Sequence, residues 1–151
     1  LEYALATGDP DRGSITNTLG GNRLGTDDES FLAFGFMETG YSFAPRFSNL
    51  QFLKADGSIR PWGGHEDRIW RELTVGAAFY QYWKDRSQGV VSDVRVDRSS
   101  SELGQELDFY IDWQVQSDLR LTVQYGIFFP GQSLTQMRDT DYLSVGVLFN
   151  F

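Results

Sequence analysis

Leu119-Arg120-Leu121-Thr122-Val123-Gln124-Tyr125-Gly126-Ile127-Phe128-Phe129 sorts its residues by parity. Every odd position is apolar or aromatic, whereas the even positions run Arg120, Thr122, Gln124 and Gly126 before Phe128 ends the row. A pleated strand sends successive side chains to opposite faces, so the stretch predicts a strand with one apolar and one wet face. On a helix the same β-branched and aromatic residues would be smeared around a 3.6-residue wheel.

The pattern repeats on either side. Leu107, Phe109, Ile111, Trp113 and Val115 oppose Glu106, Asp108, Tyr110, Asp112 and Gln114. Upstream, Leu73, Val75, Ala77, Phe79 and Trp83 oppose Glu72, Thr74, Gly76, Ala78, Tyr80, Tyr82 and Lys84, with Gln81 the one polar residue in the apolar row. Downstream, Leu143, Val145, Val147, Phe149 and Phe151 oppose Ser144, Gly146, Leu148 and Asn150. Two weaker alternations, Leu53–Pro61 and Leu1–Ala6, bring the expected total to six strands and the fold class to all-β, antiparallel and up-and-down.

The connections carry a second pattern. Trp62-Gly63-Gly64-His65-Glu66-Asp67 joins Pro61 to Arg68, and Gln116-Ser117-Asp118 joins Val115 to Leu119; both are short and rich in turn formers. Gly8 to Ser48, Asp85 to Leu103 and Pro130 to Asp141 are long. Short and long alternate, as in outer-membrane barrels, whose periplasmic turns are short and external loops long. The last strand then runs toward the periplasm.

Composition narrows the function classes. The chain of 151 residues suits one domain, and with 21 acidic against 13 basic residues, a formal charge of −8, it has no electrostatic footprint for nucleic acid. No cysteine is present, which excludes thiol catalysis, Cys-zinc sites and iron–sulfur ligation. No apolar run approaches the ~20 residues of a membrane helix, but a barrel strand crosses with ~9–11 and hides its apolar half by alternation. A soluble sandwich or lipocalin-like barrel also alternates, with its apolar face inward. The mixture of charge with Gly, Ala and Thr on the polar face favours the membrane barrel. Aromatic residues near strand ends, Trp62, Trp70, Trp83, Tyr82 and Tyr142, read as interfacial girdles.

The closing Tyr142-Leu143-Ser144-Val145-Gly146-Val147-Leu148-Phe149-Asn150-Phe151 resembles the C-terminal signature read by the barrel assembly machinery of Gram-negative outer membranes, with Tyr142, Val145, Val147, Phe149 and Phe151 as the assembly signal. Glu2-Tyr3-Ala4-Leu5-Ala6-Thr7-Gly8-Asp9, Arg46-Phe47-Ser48-Asn49-Leu50, Gly104-Gln105-Glu106-Leu107-Asp108 and Tyr125-Gly126-Ile127-Phe128-Phe129-Pro130-Gly131 follow one another as in the alginate-export family of outer-membrane porins, which the chain resembles along nearly its whole length. The resemblance implies a porin-like channel for an acidic polysaccharide or another hydrophilic, anionic or saccharide solute. It implies outer-membrane lipid and the assembly machinery as partners, with no cofactor. Parity then assigns Lys54, Asp56, Arg60, Glu72, Tyr80, Tyr82, Lys84, Glu106, Asp108, Asp112, Arg120 and Gln124 to the pore lining, its basic residues forming separate stations among the carboxylates rather than one ring.

Six strands fall short of the ~8 of the smallest common membrane barrels. The chain therefore reads as the C-terminal portion, residues 1–151, of a larger barrel whose remaining strands are a further partner. A complete eight-stranded barrel, with two strands from Phe31–Phe43 and its neighbours, is the competing account, as is a barrel segment without its own transport role. Residues 9–48 form a long external loop in the first account, and its stretch Phe31–Met37, apolar on both parities, suits folding back into the pore. Two chemical candidates remain. His65, the single histidine, sits in a turn beside Glu66 and Asp67, where a solvated bystander outweighs a catalytic base, so no enzyme is expected. Asp27-Asp28-Glu29 with Asp9 and Asp11 offers oxygen ligands for Ca²⁺ but lacks regular ligand spacing, and a solvated loop is the better reading.

Overall fold

A computed structural model of the chain describes residues 1–14, 21–31 and 37–150. Strands β1 (Glu2–Ala6), β2 (Leu50–Ile59), β3 (Leu73–Trp83), β4 (Glu102–Gln114), β5 (Leu119–Pro130) and β6 (Thr140–Phe149) form one antiparallel sheet in sequential order. A single helical turn, α1 (Arg68–Arg71), precedes β3. All six strands expected from alternation are present, each paired with its neighbour in sequence. Because the pairing is residue-for-residue through β3, β4 and β5 (Val75↔Ile111↔Val123, Gly76↔Tyr110↔Gln124), parity along each strand becomes parity across the sheet. Odd positions share one face and even positions the other.

The odd face is an exposed apolar belt. Leu1, Tyr3, Leu5, Ile59, Phe109, Ile111, Phe129, Leu143 and Phe149 are exposed on it, and Val145 and Val147 each keep 68% of their surface. The 12 residues of β5 span about 40 Å at ~3.3 Å each, and a tilt near 45° leaves roughly 28 Å of height, enough to cross a bilayer's ~25 Å apolar band. The belt has polar and aromatic edges. At the end with the long connections, Gln105 Nε2 donates to Gln81 Oε1 at 2.7 Å and the Tyr3 hydroxyl to Gln51 Oε1 at 3.0 Å, which explains how Gln81 is tolerated in an apolar row. At the short-turn end α1 folds over the odd face: Trp70 stacks on Trp113 at 5.3 Å, Trp62 meets Trp70 edge-on at 5.7 Å, and Trp113 Nε1 donates to the Ile69 carbonyl at 2.8 Å. This covers Leu73, the one odd-face strand residue that is buried.

The even face divides in two. Toward the long connections it carries the molecule's apolar core, with Leu50, Phe52, Ala78, Tyr80, Tyr82, Leu103 and Phe128 from the strands, Phe43 from the first connection, and Val91 and Leu134 from the other two. Toward the short turns it is polar. The structure departs from the alternation pattern where that core forms. Strand β2 starts at Leu50, three residues before the predicted Leu53, because Leu50 and Phe52 place apolar groups on the face expected to be wet. At the start of β4, Tyr82 pairs with Gly104 but Trp83 with Glu102, so a bulge at Leu103 turns that side chain into the core. Gly104 permits it, with φ +134 and a neighbouring Phe129 carbonyl that would stand 2.3 Å from any Cβ.

Among the described residues of the first connection there is no strand, only an isolated bridge between Arg12 and Asn22, so the described part of Phe31–Phe43 supplies neither strand of the eight-stranded alternative. Residues 32–36 of that stretch lie outside the described residues. Phe151 of the assembly signal also lies outside them. Tyr82 is a core residue of the even face and not part of a girdle, since Phe43 packs edge-on against it at 5.3 Å; Tyr142 likewise lies on the even face.

Candidate functional site

Residues 37–49 lie across the upper half of the even face, held by one carboxylate. Glu106, fully buried, accepts the backbone N–H groups of Tyr41 (2.7 Å), Ser42 (2.6 Å) and Phe43 (2.9 Å). Three consecutive donors converging on one anion form a backbone nest, and charge-assisted bonds of this kind are about twice as strong as neutral ones. The turn that presents them needs positive φ at Gly40 (102°) and Ala44 (41°). At Gly40 a side chain is excluded as well, because a Cβ would meet the Tyr82 hydroxyl at 2.5 Å. Further ties fix the segment: Tyr82 donates to the Thr39 carbonyl at 2.8 Å, Ser42 Oγ to the Thr140 carbonyl at 2.7 Å, and Phe43 stacks on Phe128 with centroids 4.3 Å apart.

The residues assigned by parity therefore fall into three groups. Tyr80, Tyr82, Glu106 and Asp108 lie under the loop, buried. Asp108, 1% exposed, has no hydrogen-bond partner for either carboxylate oxygen among the described residues, and the same holds for the Tyr80 hydroxyl. Lys54 Nζ sits 5.2 Å from the centre of the Tyr80 ring. Asp112, Arg120 and Gln124 occupy the open lower half. Arg120 is not a free station: its Nε donates to Asp112 Oδ1 at 2.7 Å and its Nη2 reaches Asp112 Oδ2. Asp56 is exposed near the end of β2, Arg60 lies beyond that strand in the exposed turn, and Glu72 closes α1.

Lys84 is placed differently from its expected role. It stands one residue past β3, buried, with Nζ donating to the carbonyls of Arg98 (2.8 Å) and Ser87 (3.1 Å), and burial lowers its pKa against a partial counter-effect from Asp97. It organises the second long connection rather than facing a lumen.

The loop carboxylates are similarly engaged. Asp9 caps the first connection by accepting the N–H groups of Asp11 (2.8 Å) and Glu29 (2.9 Å), and these bonds hold its carboxyl below the usual value. Asp28 pairs with Arg12. Nearby, Asn49 at φ +49 bridges the first two long connections, accepting from Arg86 N–H at 2.7 Å and donating to the Arg86 and Val90 carbonyls. His65 is in the exposed turn, its Nδ1 accepting the Asp67 N–H at 3.1 Å.

Parity alone did not single out Tyr41, Ser42 and Phe43. The available signal was Phe128, an apolar residue closing an otherwise polar row, which requires something apolar to cover it.

An up-and-down antiparallel meander with an exposed apolar face, a half-polar opposite face and long connections gathered at one end defines the wall of an outer-membrane β-barrel. The sequence profile of the family described as alginate export matches residues 1–147, and the chain belongs to that family of outer-membrane export barrels. No curated protein matches the chain.

Proposed function

We propose that the chain lies in the outer membrane of a Gram-negative bacterium and forms part of the wall of a channel for passive passage of a hydrophilic, anionic or saccharide solute. The odd face meets lipid and the even face lines the lumen. The observation that carries this reading is the contrast between those faces. An exposed to half-buried apolar belt, with polar residues only toward its long-connection edge, stands back to back with Tyr110, Asp112, Arg120, Thr122, Gln124 and Ser144. Residues 37–49 narrow the passage at the long-connection end. Edges β1 and β6 accept further strands of the barrel, and the odd row of β6 is the part presented to the assembly machinery.

With Arg120 neutralised by Asp112 and Lys84 withdrawn into a loop, the described wall is not a ring of positive charge. Passage then depends on size and hydrogen bonding more than on a charge filter. The test is reconstitution of the full-length protein in planar bilayers with KCl. Stepwise conductance supports the reading, and folded, inserted protein that conducts nothing contradicts it.

A further inference from the structure

We propose that Tyr110 and Tyr142 of the even face, together with Tyr41 at the edge of the loop above them, form a stacking track for pyranose rings, so that recognition rests on sugar faces and hydroxyls rather than on carboxylate charge. This deepens the channel reading and rests on it.

The placement follows from two glycines. Tyr110 pairs across strands with Gly76, and its ring lies over that glycine so closely that a Cβ there would meet Tyr110 Cζ at 2.3 Å. Pairing an aromatic with a cross-strand glycine lays the ring flat on the wall. Its face is then turned away from the sheet. One register row nearer the loop, Gly126 pairs with Tyr142, and its missing side chain admits the loop: a Cβ there would lie 3.0 Å from Tyr41 Cβ. The Tyr41 and Tyr142 rings stand 6.4 Å apart at 38°, and Tyr142 keeps 40% of its surface. The Tyr41 phenol is neutral at physiological pH, as tyrosine ordinarily is, and burial raises its pKa further, to about 12.

Polar groups suited to sugar hydroxyls fill the rows between. Tyr110, Gln124 and Ser144 are in register across β4, β5 and β6, with Asp112, Thr122 and Gly146 in a row further down. An amide and a hydroxyl both donate and accept, which matches a sugar hydroxyl better than a fixed charge does. The faces of tyrosine rings are electron-rich and attract the weakly positive C–H groups of a pyranose face. The Asp112–Arg120 pair carries no net charge, so the region does not demand an anionic solute.

The probe is maltohexaose, a neutral oligosaccharide, added to the full-length protein conducting KCl in a planar bilayer. Wild type should show reversible, concentration-dependent current interruptions. Tyr110→Ala and Tyr142→Ala should each weaken the block about three- to tenfold, scored against each variant's own open-channel KCl current, and Tyr110→Phe should retain most of it. A channel that conducts KCl but shows no maltohexaose block, or an equal block in the Tyr110→Ala, Tyr142→Ala double variant, overturns the track alone. Absence of KCl conductance overturns the channel reading and the track with it.

Discussion

Glu106 shows how far one side chain can organise this molecule. Its carboxylate faces three N–H groups of the loop and lies beneath Gly40, so replacing it leaves those donors buried without an anion. Glu106→Gln keeps one acceptor but turns an amide N–H toward three donors, and should weaken loop anchoring by about 1–3 kcal/mol. Hydrogen exchange of the Tyr41–Phe43 amides is the readout: faster exchange there with β4 and β5 amides unchanged is expected, and uniform behaviour would show that the apolar contacts of Phe43 suffice. Asp9 gives a pH dependence. Its folded pKa is depressed by the N–H groups of Glu29 and Asp11, so its contribution is present above the unfolded value of 3.8 and is lost as pH falls through the lower folded value. The Asp11 and Glu29 amide resonances should therefore titrate together with a midpoint below 3.8, and a midpoint above that would refute the cap.

At the scale of strands, the two faces of β4 and β5 should differ sharply in their tolerance of charge. Val123→Arg or Ile111→Arg on the odd face should cost ~2–4 kcal/mol near the bilayer midplane, whereas Thr122→Arg on the even face should be mild. Reversible denaturant unfolding in lipid would measure both, and equal costs would contradict the assignment of faces. Gly104 has a different sensitivity. At φ +134 with a carbonyl 2.3 Å from any Cβ, Gly104→Ala should cost about 1–3 kcal/mol and disturb the bulge that buries Leu103, seen as loss of protection at the start of β4. Alternation made the four strands from Leu73 onward legible because each is a long, one-sided pattern, and β1 and β2 followed from shorter, weaker versions of the same rule. It failed where the even face stops being wet: Leu50, Phe52 and Leu103 are packed by distant loop residues, and period two contains no information about a cover. The helical turn at Arg68–Arg71 escaped for a related reason, since its position depends on Trp70 finding Trp113 across the sheet. Of the pore-lining set, parity placed the strand residues on one face. The ion pairing of Arg120 and the withdrawal of Lys84 are cross-strand and loop contacts that parity cannot express.

For the whole molecule, the central claim is that the even face meets water and the odd face meets lipid, the reverse of a soluble β-barrel with the same alternation. No cysteine occurs in these 151 residues, so a single cysteine introduced at a chosen position meets no competing thiol within this segment. A nitroxide attached in turn at positions 120 to 125 of the full-length protein in bilayers can be tested for collision with oxygen, which partitions into lipid, and with a water-soluble nickel chelate. Arg120, Thr122 and Gln124 should favour the nickel chelate, and Leu121, Val123 and Tyr125 should favour oxygen, alternating with a period of two. The opposite phase, or an apolar row shielded from both reagents, would contradict the membrane-barrel account.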